Sequence, residues 1–351
     1  MRVPAQNQQY ENFIIRYKQN IHGTFPYESD DTFQIVNDLF GILYVPMKVV
    51  PELELSSYSY SSIPRCYTYM DTGALSASGV TRLHGHPYLQ LQGKGTLVAV
   101  IDSGIDYLHP AFHNGTRSKI LSIWDQELEG EPNGRIPFGR EFTREQIERA
   151  LASENPWEVV PSGDRNGHGT RCAATAAGYR IEKENFCGAA PEAEIVIVKL
   201  KQAKNYLRDF YLLPRDTDIF QEDDIMLALS YVLRVAQEQQ MPLSICIGLG
   251  TSMGAHQGEG PLNEYINSIA AFTQNAVSVA AGNEGTARHH YLREFGQNDT
   301  EDTVELRVGD RESNRGFMTE FWGDSPGSYY MAIQSPTGEK LSVSTSLKNS
   351  T

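Results

Sequence analysis

Three short stretches hold residue types that could do acid–base chemistry on an acyl group. In the first, Leu97-Val-Ala-Val-Ile101 is an unbroken apolar run that delivers Asp102 immediately before Ser103-Gly104. An open α/β sheet gathers its functional groups at the carboxyl ends of its strands, and Asp102 stands at such an end. Taken alone, Asp102 fits a turn cap as well as a catalytic acid, and the nearby Asp106 reads as a local structural carboxylate. In the second, His168 sits inside Asn166-Gly-His-Gly-Thr170 and opens an Ala-rich, small-residue helix ending near Gly178. The flanking glycines let other backbone approach closely, so this ring is held toward a crevice. In the third, Val277-Ser-Val-Ala-Ala281 delivers Asn283 between Gly282 and Glu284-Gly285. A side-chain amide fixed at a strand end can stabilise a developing oxyanion, an effect worth about 3–4 kcal/mol where one such donor has been removed. A turn-forming Asn would look the same in isolation.

The elements that must position these groups follow from the apolar pattern. Continuous runs at 97–101, 195–198, 243–247 and 276–281 read as strands buried on both faces, and they alternate with helical stretches such as 225–239. That alternation predicts a parallel α/β sheet flanked by helices. Residues 10–50 form a separate α+β pattern. Phe13, Ile14, Ile15 and Tyr17 are strand-like, the 33–43 stretch has near-helical apolar spacing, and Gly41 to Val45 looks like a return strand. The Ser/Tyr tract at 56–62 reads as a linker. Beyond residue 300 the runs 304–308, 317–322 and 329–333 are bounded by Gly, Pro, Asp or Ser and read as antiparallel strands. The expected division is 1–75, 76–300 and 301–351.

Composition narrows the class of partner. With 351 residues, 40% hydrophobic and 21% charged, the chain has the make-up of an ordinary globular protein. Its formal charge of -14 argues against a nucleic-acid surface, which would advertise clustered Lys and Arg. No membrane span or signal-peptide run is legible, so a cytoplasmic or spore-associated location is expected. Cys66, Cys172, Cys187 and Cys246 lack metal-ligand spacing and are expected to be reduced and buried.

Asp102-Ser-Gly, Gly167-His-Gly-Thr and Ala281-Gly-Asn283, in that order, resemble the subtilisin-like serine proteases across about residues 75–290. The resemblance implies that His168 is a general base, that Asp102 orients it, and that Asn283 supports the oxyanion. It also implies that extended peptide pairs with the edges around Lys199-Leu200 and Gly248-Leu249-Gly250. Gly248 departs from the Ser common in the family, and Arg171 and Cys172 from its usual His and Val. The first 75 residues resemble a pro-segment, a partner whose extended tail around Ser61 to Met70 would enter the active site, with cleavage near Tyr69. The strands after residue 300 resemble a β-rich insertion found between Asn and Ser in subtilases of spore-forming bacteria.

The family's nucleophile lies in Gly-Thr-Ser-Met/Ala-Ala-Pro at a helix start, downstream of the oxyanion Asn. Gly250-Thr-Ser-Met-Gly254 spells part of this, but it precedes Asn283 and lacks Ala-Ala-Pro, so Ser252 reads as a decoy. No other serine fits, and the catalytic Ser is expected to be missing from this chain. The expected function is therefore that of a serine endopeptidase acting on protein or peptide through an Asp-His-Ser triad. The alternative is a pseudoprotease serving as a peptide-binding or regulatory module. No cofactor is expected; calcium is common in the family, but no ligand cluster here names a site.

Overall fold

The computed structural model describes residues 4–17, 32–50, 53, 58–69, 84, 88, 91–184, 186–254, 256–285, 287–296, 298–308, 316–323 and 327–345. The chain opens with three antiparallel strands, β1 (Tyr10–Arg16), β2 (Phe33–Ile35) and β3 (Phe40–Pro46), in the order β1-β3-β2. Phe13, Ile14, Ile42, Leu43, Tyr44 and Val45 are buried, so β-branched and aromatic side chains fill both faces of this small sheet. The helix expected over 33–43 does not form. Asn37 accepts hydrogen bonds from the Leu39 and Phe40 N–H groups, closing a side-chain turn that joins β2 to β3 in place of a helix.

The next strand, β4 (Cys66–Tyr69), belongs to the same N-terminal segment but pairs elsewhere, as described below. A parallel sheet then dominates. It contains β5 (Leu97–Asp102), β8 (Ile120–Asp125), β9 (Arg140–Thr143), β10 (Glu194–Lys199), β12 (Leu243–Ile247) and β14 (Asn275–Val279), while β6 (His113–Asn114) and β7 (Arg117–Ser118) form a small hairpin beside it. The order is β14-β12-β5-β10-β8-β9, with β9 alone antiparallel. β5 is central, and every residue in it is buried, as a strand covered on both faces requires.

The helices are α1 (Arg144–Leu151), α2 (Pro156–Val159), α3 (His168–Ala177), α4 (Asn205–Phe210), α5 (Glu222–Gln239) and α6 (Pro261–Ala270). On one face of the sheet, α5 buries Ile225, Leu229, Val232 and Ala236 in a core with Leu97, Ala99 and Ile101. On the other, α3 packs Cys172, Ala173 and Ala177 against Val98, Val100 and Ile197. Short side chains on α3 let the helix sit close to the sheet, which fixes the height of His168 above β5.

Two short strands, β11 (Phe220–Gln221) and β13 (Leu249–Gly250), flank β4, and β15 (Tyr329–Gln334) pairs antiparallel with β16 (Lys340–Thr345). Of the three strands expected after residue 300, this hairpin contains only the 329–333 run. Residues 304–308 and 317–322 are not strands: Val304, Leu306 and Val308 are all exposed, so their β-propensity has no buried face to reward it. Among the described residues, Cys66 and Cys172 are buried, Cys187 and Cys246 are half-buried, and all four are free thiols. The expected boundary at residue 75 lies outside the described residues. No described helix is long and apolar enough to cross a membrane.

Candidate active site

Asp102 closes β5 and is fully buried. Its neighbour in register is Lys199 on β10, and its carbonyl accepts the Leu200 N–H at 2.9 Å, so the strand end cannot shift along the sheet. The chain leaves through Ser103 and Gly104, the latter at φ +122° with a virtual Cβ only 2.7 Å from the Gly163 carbonyl. Glycine is the residue that tolerates both the angle and the approach.

His168 is the first residue of α3, presented by Gly167 at φ 77°. The Asn166 side chain accepts the His168 N–H at 2.9 Å, and Asp164 accepts both the Thr170 N–H and its hydroxyl. Ser103 links the two motifs: its hydroxyl donates to Asp164 at 2.8 Å and accepts the Gly169 N–H at 3.0 Å. A Cβ on Gly169 would fall 2.2 Å from the Gly104 carbonyl, so the first turn of α3 rests directly on the turn after β5. Asp106 plays the local role expected of it, accepting the Leu108 N–H, while its own N–H donates to Thr170.

These supports bring His168 Nδ1 to 2.8 Å from Asp102 Oδ1. A carboxylate only accepts, so this contact selects the tautomer with the proton on Nδ1 and leaves Nε2 as the basic nitrogen. The arrangement can take a proton at Nε2 and stabilise the resulting imidazolium through a buried carboxylate. Cys172, one turn along α3, places Sγ 3.8 Å from the same Nδ1. Burial first, and then the Asp102 charge, push its thiol pKa upward and keep it protonated. A Cβ on Gly248 would lie 2.5 Å from Asp102 Oδ2, 3.0 Å from Cys172 Sγ and 3.3 Å from His168 Cε1. The departure at Gly248 thus leaves room beside the pair.

The remaining candidates separate. Leu249 and Gly250 form β13, which pairs antiparallel with Tyr69 and Thr68 of β4. On its other side β4 pairs with Phe220 and Gln221 of β11, so the chain's own extended segment lies between two edges. Lys199 and Leu200 do not form the second edge. Their backbone is committed to Asp102 and to the Gln126 N–H, and the Lys199 ammonium sits beside Asp125 and Glu127. The β11 edge is not legible in the sequence, because a two-residue strand has no periodicity. Asn283 follows β14, the outer strand next to β12, and is exposed. Ser252 is exposed too, and its hydroxyl donates to Glu284 at 3.3 Å. Asp164 and Asn166 stand just ahead of Gly167-His-Gly-Thr170, at the spacing of side chains that cap a helix start, whereas only the fold brings Ser103 to them.

The fold is thus a parallel sheet flanked by helices that carries a buried Asp–His pair at its carboxyl end. The chain belongs to the subtilase family (Peptidase S8), matched over residues 93–306. It is 30% identical over 199 residues to an intracellular serine protease of Paenibacillus polymyxa, spanning 56% of this chain and 44% of that one. A subtilisin-like protease of Arabidopsis thaliana is 30% identical over 127 residues, which is 30% of this chain and 15% of that protein. The CspB protease structure of Clostridium perfringens superposes with a TM-score of 0.50 at 31% identity, covering 60% of this chain and 40% of that one. The chain therefore spans less than half the length of these relatives.

Proposed function

We propose that this chain carries the acid–base half of a serine endopeptidase. Asp102 orients His168, Nε2 of His168 takes the proton of an attacking serine and returns it to the leaving amine, and Asn283 donates to the oxyanion. The nucleophile itself would come from sequence beyond these residues. The observation that carries this reading is the buried 2.8 Å bond between His168 Nδ1 and Asp102 at the carboxyl end of β5.

Peptide substrate would enter as a strand between Leu249–Gly250 and Phe220–Gln221, paired through its backbone and therefore with broad tolerance of side chains. In this reading residues 1–75 act as a pro-segment, whose β4 occupies that groove, 76–300 as the catalytic unit and 301–351 as the start of a β-rich insertion. A cytoplasmic or spore-associated location agrees with the Paenibacillus relative being called intracellular.

Fluorophosphonate labelling of the 351-residue chain and of the complete gene product, each beside its His168→Ala variant, tests the assignment. Label on the complete product that requires His168 supports it. Label mapped to Ser252 would instead make this chain a complete, rearranged enzyme. No label on either would favour a pseudoprotease that binds peptide without cleaving it. An intact N-terminus by mass spectrometry in the active product would refute the pro-segment.

A further inference from the structure

Asp102, His168 and Cys172 each offer one ligand atom, and these three atoms lie within 4.8 Å of one another in a buried cluster. We propose that this cluster is a binding site for a soft divalent cation such as Zn2+ or Cd2+. Three features of the site point to a ligand. First, Asp102 Oδ2 is fully buried and accepts no hydrogen bond of standard geometry. The Cys172 thiol interacts with that carboxylate as a weak donor, outside that geometry. Second, the space where Gly248 lacks a Cβ touches Asp102 Oδ2, Cys172 Sγ and His168 Cε1 together. Third, the spacing is close to that of a tetrahedral site.

Zinc bonds of about 2.3 Å to sulfur and about 2.0–2.1 Å to nitrogen, at a tetrahedral angle, put those two ligands about 3.6 Å apart. Cys172 Sγ and His168 Nδ1 stand 3.8 Å apart. The same geometry separates nitrogen from a carboxylate oxygen by about 3.3 Å. The His168–Asp102 contact of 2.8 Å would therefore open by about half an ångström. A thiolate, an imidazole and a carboxylate form a donor set suited to zinc-like ions and poorly suited to Ca2+ or Mg2+, which take oxygen ligands.

Binding replaces two protons with the ion. The Cys172 S–H bond breaks and its proton leaves to solvent. The imidazole gives up the proton on Nδ1 and carries one on Nε2 instead, so one proton is released per ion. With Nδ1 bound to metal and Nε2 protonated, His168 can no longer accept a proton. The ion would thus switch off general-base catalysis. That consequence rests on the proposed protease reading, whereas the binding does not.

The test is titration of the full 351-residue chain with Cd2+, followed by its thiolate-to-metal ultraviolet charge-transfer band, and with Zn2+ in competition with a chromophoric chelator. One ion per chain is expected, bound at least tenfold more weakly in Cys172→Ser and in His168→Ala, with folding of each variant checked by circular dichroism. Unchanged affinity in Cys172→Ser would place the ion on other thiols, as adventitious binding, and overturn the proposal. A second readout needs no variant fold: Zn2+ should shift the His168 imidazole of the wild-type protein from the Nδ1–H to the Nε2–H tautomer by nitrogen NMR. An unmoved tautomer at saturating Zn2+ would also overturn it. Neither result alters the fluorophosphonate outcome, so failure of the metal site and failure of the protease reading are separable.

Discussion

At the scale of single residues, the site depends on atoms that are missing as much as on those present. Gly248 stands where an added methyl group would meet Asp102 Oδ2 at 2.5 Å, with the Cys172 sulfur at 3.0 Å. Neither neighbour is the far end of a flexible chain, because Asp102 is locked by β5 and Cys172 by α3. Gly248→Ala is therefore expected to push Asp102 away from His168 and to destabilise the fold by about 1–3 kcal/mol, as overpacking of a filled interior does. Urea unfolding measures the loss, and stability unchanged from wild type would show that the pocket can yield. Combining Gly248→Ala with Cys172→Ala should recover part of that loss, since the two side chains compete for one space.

At the scale of elements, buried cations pin the helices to the sheet. Lys119, between β7 and β8, donates to the Pro191 carbonyl at 2.8 Å and to the carbonyl of Ala177 at the end of α3, and its ammonium lies 4.1 Å from the centre of the Tyr179 ring. Burial, the largest cause, lowers its pKa from 10.5 to about 8. Between about pH 8 and 10.5 the unfolded chain keeps a proton that the folded protein has already lost. Stability contributed by this group therefore rises with pH across that window, by up to about 1.4 kcal/mol per pH unit. Below it, both states hold the proton and the contribution is constant. Lys119→Met should remove this rise, and urea midpoints of the two proteins across that range measure it. Parallel pH profiles would mean that Lys119 titrates normally in the fold.

At the scale of the whole molecule, the N-terminal sheet docks on the start of α4 and α5 through polar groups enclosed by apolar ones. Asn12 is the hub. Its amide donates to Asp223 and accepts from Lys204 at 2.6 Å, while its backbone exchanges hydrogen bonds with the Tyr206 hydroxyl. Lys204 also donates to the Pro4 and Tyr10 carbonyls, and burial, then the nearby Lys201, lower its pKa to about 7. Glu222, at the start of α5, accepts the Arg65 and Leu262 N–H groups, so one carboxylate ties β4 to both α5 and α6. Asn12→Ala leaves Asp223 and Lys204 each short of a partner and is expected to cost about 1–3 kcal/mol. Its signature is local: amide exchange in β1 and β3 should quicken while that of β5 is unchanged. Equal acceleration everywhere would mean that the N-terminal sheet unfolds together with the rest.

The two residues that meet in the site were legible in the sequence because each is delivered by a local pattern: an apolar run ends at Asp102, and glycines bracket His168. Such runs also reveal the parallel sheet; β5 and β10 are buried along their length as expected, whereas β14, at the sheet's edge, is largely exposed. Three things were decided only by the tertiary structure. The 33–43 stretch became strands and a turn, because Asn37 bonds the backbone that a helix would need. The second edge beside β4 turned out to be Phe220–Gln221 and not Lys199–Leu200, because pairing depends on which backbone groups the main sheet leaves unused. The meeting of Cys172, Gly248, Asp102 and His168 also required the fold. A short-range pattern can place a side chain at the end of a strand or helix, but only the packing of α3 on β5 and β10 sets how far apart those ends lie.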